Sequence, residues 1–297
     1  MDLFLKMSSL KIMKFCRKFF LYGLVLLALL GPGSLLALEG GSLHSRLVLE
    51  EGLDQVLVSR FIESERFQVD TAIIAKNLKQ VEYKATYDRF IEPESVQKGQ
   101  RFLETNQSWM RLQEKKYGVE AELVTAIFLI ESDLGRYPGR YNLLKVFTSL
   151  ASCNREVHLQ KVYKELLPQY PQLDYQWLQR RARKKSAWGY GQLVALLRLS
   201  DRLDIDQVKG SWAGAFGICQ FIPSSCLSFA VDGSGDGFID LYDFKDAAAS
   251  VANYLKVHGW RSGLDRQARE KVVWSYNHST LYCQTVVELA HRLRKVR

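Results

Sequence analysis

Proline and cysteine are both scarce in this sequence of 297 residues, which contains six prolines and five cysteines. Because proline interrupts helices, its scarcity leaves room for long helical segments. The C-x-x-C and H-x3-H spacings of zinc sites and the G-x-S-x-G elbow of serine hydrolases are also missing. The sequence shows no internal repeat. With 47% apolar residues, these absences favour a helical globular protein over a disulfide scaffold, a zinc domain, a repeat protein or a disordered chain.

Four cysteines follow residue 37, and their pairing is left open by the sequence. They are Cys153, Cys219, Cys226 and Cys283. In an oxidising compartment an even number permits two disulfides, with three possible pairings. Independent buried thiols are an equally good interpretation.

The first 37 residues have the pattern of a targeting segment. Five basic residues precede an uncharged run over 19–30, and a break follows at 31–37. This pattern predicts a cleaved signal peptide and export to the periplasm or cell envelope. A retained N-terminal anchor, and therefore membrane association, is the alternative.

Removal of residues 1–37 lowers the formal net charge from +9 to +5, since five basic residues and one acidic residue are lost. The densest basic run lies at 180–185. Export makes nucleic acid an unsuitable partner, so this run is interpreted as a solvated helix face or as a surface for an anionic cell-wall polymer.

The hydrophobic pattern predicts a mainly α architecture with strand character confined to short pieces such as 238–241. A break at Ile91-Glu-Pro-Glu divides a helical region at 38–94 from a core at 95–297, and the core carries an insertion at about 154–208. The predicted helices cover 47–63, 70–83, 95–116, 121–134, 160–167, 176–187, 191–202, 244–257 and 282–296.

Residues 232–243 have the spacing of an EF-hand-type calcium loop. Gly237 permits the sharp turn, and an Asp at the twelfth position in place of the long bidentate Glu predicts low affinity. We expect a structural Ca²⁺ clip, with a metal-free acidic turn as the alternative. The predicted ligands are Asp232, Ser234, Asp236 and Asp243 through their side chains and Phe238 through its carbonyl.

Glu131 is the candidate acid. Leu123, Ile127 and Leu134 lie on one apolar helix stripe, and Glu131 projects from its edge, where partial desolvation would raise the carboxyl pKa and allow general acid catalysis. Asp133 should lie about 200° around the helix, outside the site. The alternative is a structural ion pair of Glu131 with Arg136 or Arg140.

Five ordered blocks between about residues 90 and 282 resemble the lytic murein transglycosylase B family, glycoside hydrolase family 103. They are AIFLIESDLGRYPGRYNLL, GSWAGAFGICQFIPSS, FAVDGSGDGFIDLYD, DAAASVANYLKVHGW and WSYNHSTLY. The resemblance implies a lysozyme-like α+β fold with a small EF-hand-like loop. It also implies cleavage of the β-1,4 bond between N-acetylmuramic acid and N-acetylglucosamine in peptidoglycan, with formation of 1,6-anhydro ends.

By family position, Glu131 is the sole acid/base of a substrate-assisted reaction. The resemblance implies that Ser211 and Asn277 orient the N-acetyl group or the reacting hydroxyl and that Gln220 bonds sugar. It further implies that Tyr254, Tyr276 and Tyr282 supply stacking and hydroxyl contacts. A family tyrosine would fall near Thr86, with Tyr87 adjacent, and neither is placed in the site; His278 is interpreted as solvated.

A monomer acting on glycan strands is expected. Two alternatives remain open, a hydrolytic muramidase on the same fold and a non-catalytic wall-binding protein.

Overall fold

The computed structural model describes residues 43–79 and 87–294, which form two units divided after Ser64. The predicted signal peptide at 1–37 lies outside the described residues. The first unit contains a π-helical turn, Arg46–Glu50, and helix α1, Gln55–Glu63. The helix predicted over 47–63 is therefore interrupted, at a turn where Gly52 adopts a φ of 65°. Asp54 starts α1 by accepting a hydrogen bond from the Leu57 amide.

The second unit consists of short and medium-length helices and one two-stranded sheet. A 3-10 turn at Asp88–Ile91 lies between the first and second helices of this unit. These helices are α2 (Thr71–Leu78), α3 (Pro93–Thr105), α4 (Gln107–Tyr117), α5 (Ala121–Ser132), α6 (Leu143–Ala151), α7 (Glu156–Leu166), α8 (Tyr175–Leu197), α9 (Pro223–Phe229), α10 (Phe244–Val257), α11 (Arg266–Trp274) and α12 (Thr280–Arg294).

Strand β1, Tyr141–Asn142, pairs antiparallel with β2, Lys209–Gly210. The strand predicted over 238–241 was wrong: those residues do not form a strand, and Asp240 instead accepts a hydrogen bond from the Tyr242 amide. Local apolar character did not indicate the real strands, because their pairing partners lie far apart in the sequence.

Several predicted helix boundaries were also wrong. The helix predicted over 95–116 is two helices, α3 and α4, which meet at Asn106. The helices predicted over 176–187 and 191–202 are one helix, α8, which continues through Gly189 and Gly191. Helices α6, α9 and α11 were not predicted.

Helix α5 lies at the centre of the core. Every residue from Ala121 to Leu129 is buried, and α5 packs against α3, α4, α10 and α12. A helix that is apolar on all sides belongs inside a protein rather than at its surface. Its last turn, which carries Glu131, is consequently held by its neighbours.

A second group of buried side chains joins α2 to helices α7 and α8, which lie in the predicted insertion at about 154–208. Ile74 and Leu78 of α2 pack with Leu159, Val162 and Leu178. Helix α8 also packs along α6.

The domain division predicted at residue 94 stays a prediction. Across residues 43–79 and 87–294, none of the helices is long and apolar enough to cross a membrane.

The four cysteines of the described chain are free thiols, and all are buried. Burial raises the pKa of the Cys153 thiol to about 12 and that of the Cys226 thiol to about 12. The interpretation as buried thiols therefore holds in this structure, and the disulfide alternative does not.

Candidate active site

Glu131 lies in the last turn of α5, at an open cavity of about 540 Å³ that we call the acid cavity. Surrounding protein desolvates the carboxyl and raises its pKa from 4.5 to about 7. The Tyr282 hydroxyl on α12 donates a hydrogen bond of 2.6 Å to Glu131 Oε1, which favours the anion and moderates that rise. The predicted rise in pKa is confirmed, and Glu131 can hold or release a proton near neutral pH.

Neither arginine proposed as an alternative partner bonds to Glu131. Within the described residues, Arg136 lies 5.3 Å from the ring centroid of Tyr137 and Arg140 lies 5.6 Å from that of Tyr141. The structural ion pair considered from the sequence is therefore not formed.

The end of α5 corrects the expectation for Asp133. The helix stops at Ser132, and Asp133 and Leu134 follow with left-handed φ angles of 56° and 60°. Asp133 therefore lines the acid cavity as well, where it forms an ion pair with Lys98 of α3. The expectation that Asp133 lies outside the site was wrong because it assumed that the helix continues past Ser132, where it ends.

The loop at 211–222 is fastened to the end of α5. Ser132 Oγ donates a 2.7 Å hydrogen bond to the Ile218 carbonyl. Gln220 has a left-handed φ of 51°, and its Nε2 donates to the carbonyls of Pro138 and Gly217 at 3.1 and 2.8 Å. The predicted site residue Gln220 is thereby placed close to the loop that follows Glu131, with its side-chain oxygen free of these bonds.

A row of tyrosines extends from Glu131. The Tyr282 and Tyr276 rings are stacked with centroids 6.5 Å apart, and Tyr276 meets Tyr254 at 5.1 Å. Their hydroxyls donate to protein atoms: Tyr276 to the Cys219 carbonyl and Tyr254 to the Ser275 carbonyl at 2.7 Å. The structure thus brings the three predicted tyrosines together. Tyr254 and Tyr282 are buried.

Tyr87 was left out of the site by sequence reasoning, yet it belongs to this row. Its ring meets Tyr282 edge-on at 6.0 Å, and burial together with the charge of Glu131 raises its pKa. The family position of a cleft tyrosine falls near Thr86, one residue before Tyr87. Tyr87 was left out of the site because of this offset.

A second cavity, of about 370 Å³, lies beyond the tyrosines, and we call it the aromatic cavity. Gln220, Tyr254 and Tyr276 line it. His278 is exposed, as interpreted from the sequence, but it lines this cavity too and packs 5.5 Å from Trp274. Trp188 of α8 also lines this cavity and was not predicted.

Ser211 and Asn277 are not brought to Glu131 by any contact within the described chain. Ser211 Oγ accepts a 3.1 Å hydrogen bond from the Ala215 amide, as a turn residue does. The backbone carbonyl of Asn277 accepts a hydrogen bond of 2.8 Å from the Ser279 amide. Their predicted roles toward substrate remain predictions.

The loop at 232–243 is held by its own carboxylates. Asp232 accepts from the Gly235 and Gly237 amides, and Asp236 accepts from the Phe238 amide. Asp243 caps α10 by accepting from the Lys245 amide at 2.8 Å, while Ser234 Oγ donates to Asp232 at 3.2 Å.

Asp246 was missed as the inner support of this loop. It is buried and accepts from the Gly233 and Ser234 amides at 2.9 Å and from the Asp240 amide at 2.7 Å. Its position three residues after the capping Asp243 was the signal that could have indicated it.

The described residues hold no group of three or more His, Cys, Asp or Glu side chains that could bind a metal ion. The acidic donors of the loop alone therefore do not make a cation site. Calcium is also coordinated by hydroxyl and carbonyl oxygens. Ser234 has a hydroxyl at position three of the loop, and Phe238 has a backbone carbonyl at position seven.

The chain is similar in sequence and in fold to known proteins. Residues 42–271 match the family model described as the transglycosylase SLT domain. A membrane-bound lytic murein transglycosylase B of Escherichia coli is 35% identical over 175 residues, which are 59% of this chain and 41% of that protein. The chain thus spans less than half the length of that relative.

Two solved structures resemble the fold. Pseudomonas aeruginosa SltB3 in complex with NAG-anhNAM-pentapeptide has a TM-score of 0.69 at 21% identity, covering 88% of this chain and 80% of that one. The Escherichia coli lytic transglycosylase Slt35 in complex with calcium has a TM-score of 0.65 at 24% identity, covering 86% and 92%. These likenesses establish the mainly helical, lysozyme-like fold predicted from the sequence.

Proposed function

Because the chain belongs to the family of transglycosylase SLT domains, we propose that it is a peptidoglycan lytic transglycosylase. It would cleave the β-1,4 bond between N-acetylmuramic acid and N-acetylglucosamine and leave 1,6-anhydromuramic acid ends. The observation that carries the proposal is Glu131, a desolvated acid with a pKa of about 7 at the wall of an open cavity. The similarity to a murein transglycosylase supports the substrate.

In the proposed reaction Glu131 serves twice. Protonated Glu131 gives its proton to the departing glycosidic oxygen, while the N-acetyl group of the substrate stabilises the positive charge that develops at the anomeric carbon. The Glu131 anion then takes the proton of the muramoyl 6-hydroxyl as that oxygen attacks the same carbon. A pKa near neutrality suits both steps, because an acid/base works best when its pKa lies near the operating pH.

The residues around Glu131 supply the remaining roles in this proposal. Tyr282 orients the Glu131 carboxyl through its hydroxyl. Gln220 and Tyr276 contact sugar from the wall of the aromatic cavity. The other proposed substrate-binding residues are Ser211, Tyr254 and Asn277.

The test is a digest of purified sacculi followed by mass spectrometry of the products. The parent protein should release muropeptides with anhydro ends, and Glu131→Gln should release almost none. Glu104→Gln, which removes an exposed carboxylate from α3, is the matched control and should match the parent.

Three outcomes would contradict the proposal. Reducing muramic ends would indicate a hydrolytic muramidase. An active Glu131→Gln variant would remove Glu131 from the chemistry, and an inactive parent that still binds sacculi would indicate a wall-binding protein.

We further propose that the loop at 232–243 binds Ca²⁺ weakly as a structural clip. Support comes from the EF-hand spacing and from the calcium complex of the Slt35 neighbour. With a Kd of roughly 10⁻⁴–10⁻³ M, 5 mM Ca²⁺ should stabilise the fold by about 1–2 kcal/mol and raise the melting temperature by about 2–8 °C. Asp232→Asn should abolish the rise, whereas Asp201→Asn should retain it; an equal melting temperature in chelator and Ca²⁺ would contradict the site.

The proposed setting is the periplasm or cell envelope, with the protein acting as a monomer on glycan strands. Membrane association, if retained, would depend on the N-terminal residues that lie outside the described ranges.

A further inference from the structure

Helix α8 carries a stripe in which an aromatic side chain at each end flanks two cationic side chains, and the stripe has no role in the reaction described above. Trp177, Arg181, Lys185 and Trp188 follow one another at spacings of four, four and three residues, which places them on one helix face. The contacts confirm the stripe: the Arg181 guanidinium lies 5.5 Å from the Trp177 ring centroid, and Lys185 Nζ lies 4.1 Å from that of Trp188. We call these four residues the α8 stripe.

The stripe starts at the candidate active site. Trp188 lines the aromatic cavity together with Gln220 and Tyr276, and the ring of Phe147 supports it edge-on at 5.9 Å. From Trp188 the stripe continues toward the first turn of α8 for about 16 Å, at the helical rise of 1.5 Å per residue. A polymer that leaves the aromatic cavity past Trp188 would therefore lie along these side chains.

The surface around the stripe is strongly positive. Residues 154–191 contain eight basic and three acidic side chains, a net charge of +5, which equals the net charge of all residues from 38 to 297. Lys184, beside the stripe, is exposed, and neither Lys184 nor Lys185 forms an ion pair with another described residue. Desolvation and the charge of Arg181 lower the pKa of Lys185, as expected for a cation without a carboxylate partner.

We propose that the α8 stripe, together with the neighbouring Lys184, is a binding surface for the glycan strand of the substrate, on which Trp188 contacts a sugar ring and Arg181, Lys184 and Lys185 bind carboxylates of the stem peptides. The inference rests on the proposed function, because it takes peptidoglycan as the occupant. Aromatic rings suit the apolar faces of sugars, and clustered cations suit the free carboxylates of the peptides. The stripe would thus make the protein prefer strands that carry stem peptides.

The test measures binding, in a Glu131→Gln background that prevents turnover, to soluble glycan strands that carry stem peptides or have been stripped of them by an amidase. The protein with the unmodified stripe should bind the peptide-bearing strands more tightly than the stripped strands. Arg181→Gln/Lys184→Gln should weaken that binding about two- to tenfold, as expected for two exposed charge pairs, and leave the stripped strands unaffected. The effect should shrink at high salt because exposed charges are screened.

Arg111→Gln/Lys115→Gln is the matched control, since it removes two exposed positive charges from α4, which does not line either cavity. Trp188→Ala should weaken the binding of both strand types, and Trp188→Phe, which keeps a ring against Phe147, should restore part of it. Equal melting temperatures would show that the variants fold.

Two results would overturn the inference: an unchanged Kd for peptide-bearing strands in Arg181→Gln/Lys184→Gln, or an equal loss for both strand types. Failure of the proposed function is a separate result, because it would be seen as the absence of anhydro products from the unmodified protein.

Discussion

At the scale of single residues, two opposing effects set the pKa of the Glu131 carboxyl: burial and the hydrogen bond from Tyr282. Burial raises the carboxyl pKa, and the Tyr282 hydroxyl holds it at about 7 rather than higher. Asp133 is two residues away and has a cationic partner, Lys98. Two nearby carboxyls therefore differ in environment, and the difference follows from what each side chain touches.

Replacement of Tyr282 by Phe should raise the Glu131 pKa further, because the anion loses its 2.6 Å hydrogen bond. From the Glu131 pKa of about 7 we expect an alkaline decline of kcat/KM near pH 7 in the parent, and we expect this decline to move to higher pH and kcat to fall in the variant. A pH profile of glycan cleavage measures both. Tyr163→Phe on α7 serves as the control, and a profile identical to that of the parent would show that Tyr282 does not act on Glu131.

The same pKa makes stability depend on pH. Between pH 4.5 and about 7 the native state holds the Glu131 proton that the unfolded state releases, so ionisation opposes folding as the pH rises. Glu131→Gln should therefore gain stability over the parent across this interval, approaching about 3 kcal/mol above pH 7. Urea unfolding at pH 5 and pH 8 measures the gain, and a constant difference would show that Glu131 is not desolvated.

Residue chemistry was predictable where the local pattern carried it. The position of an acid at the edge of an apolar stripe indicated the direction of the Glu131 pKa, whereas the resemblance to the family singled out Glu131 as the catalytic acid. Tyr282 as its donor, the orientation of Asp133 and the loop support by Asp246 depend on chain turns and long-range contacts, which periodicity does not encode.

At the scale of elements, close contact between α6 and α8 fixes one wall of the aromatic cavity. Gly189 makes the contact possible, since a Cβ at this position would lie 2.6 Å from the Leu150 Cβ. Trp188, the adjacent residue, is therefore positioned by a glycine that the sequence pattern had suggested as a break between two helices.

The pair Gly189 and Gly191 allows a matched substitution within α8. Gly189→Ala should destabilise the protein by about 1–3 kcal/mol, because the added methyl meets Leu150. Gly191→Ala should be neutral or stabilise it by up to about 1 kcal/mol, because its Cβ would have no atom within 4 Å and alanine favours helix. Chemical denaturation distinguishes the two, and equal effects would contradict the α6–α8 packing.

Element types were predicted better than element ends. Long periodic segments such as α5 and α10 were found, whereas Asn106 divided a predicted helix and β1 paired with a strand that no local signal marked. Ends depend on capping and on partners distant in the sequence, so they were the weaker part of the prediction.

At the scale of the whole molecule, all residues proposed for catalysis and binding lie in the second unit, which begins at Glu65. Helix α2 belongs to this unit, and its Ile74 and Leu78 are fully buried with α7 and α8. Helices α7 and α8 are thus packed into the unit that carries Glu131.

A chain shortened to residues 65–297 should fold and retain the proposed cleavage of peptidoglycan. A chain shortened to 95–297 lacks α2 and should lose about 3–6 kcal/mol from the burial of Ile74 and Leu78 alone. Thermal unfolding of both chains tests the difference. Equal melting temperatures would favour a division near residue 94, as predicted from the sequence.

The hydrogen bond between Tyr282 and Glu131 joins residues 151 positions apart. Glu131 is therefore synthesised long before its partner, and the pair cannot form until α12 has been made and has docked against α5. The proposed catalytic acid therefore cannot be tuned before α12 is in place, and a chain synthesised only as far as α11 carries Glu131 without the hydrogen-bond partner that moderates its pKa.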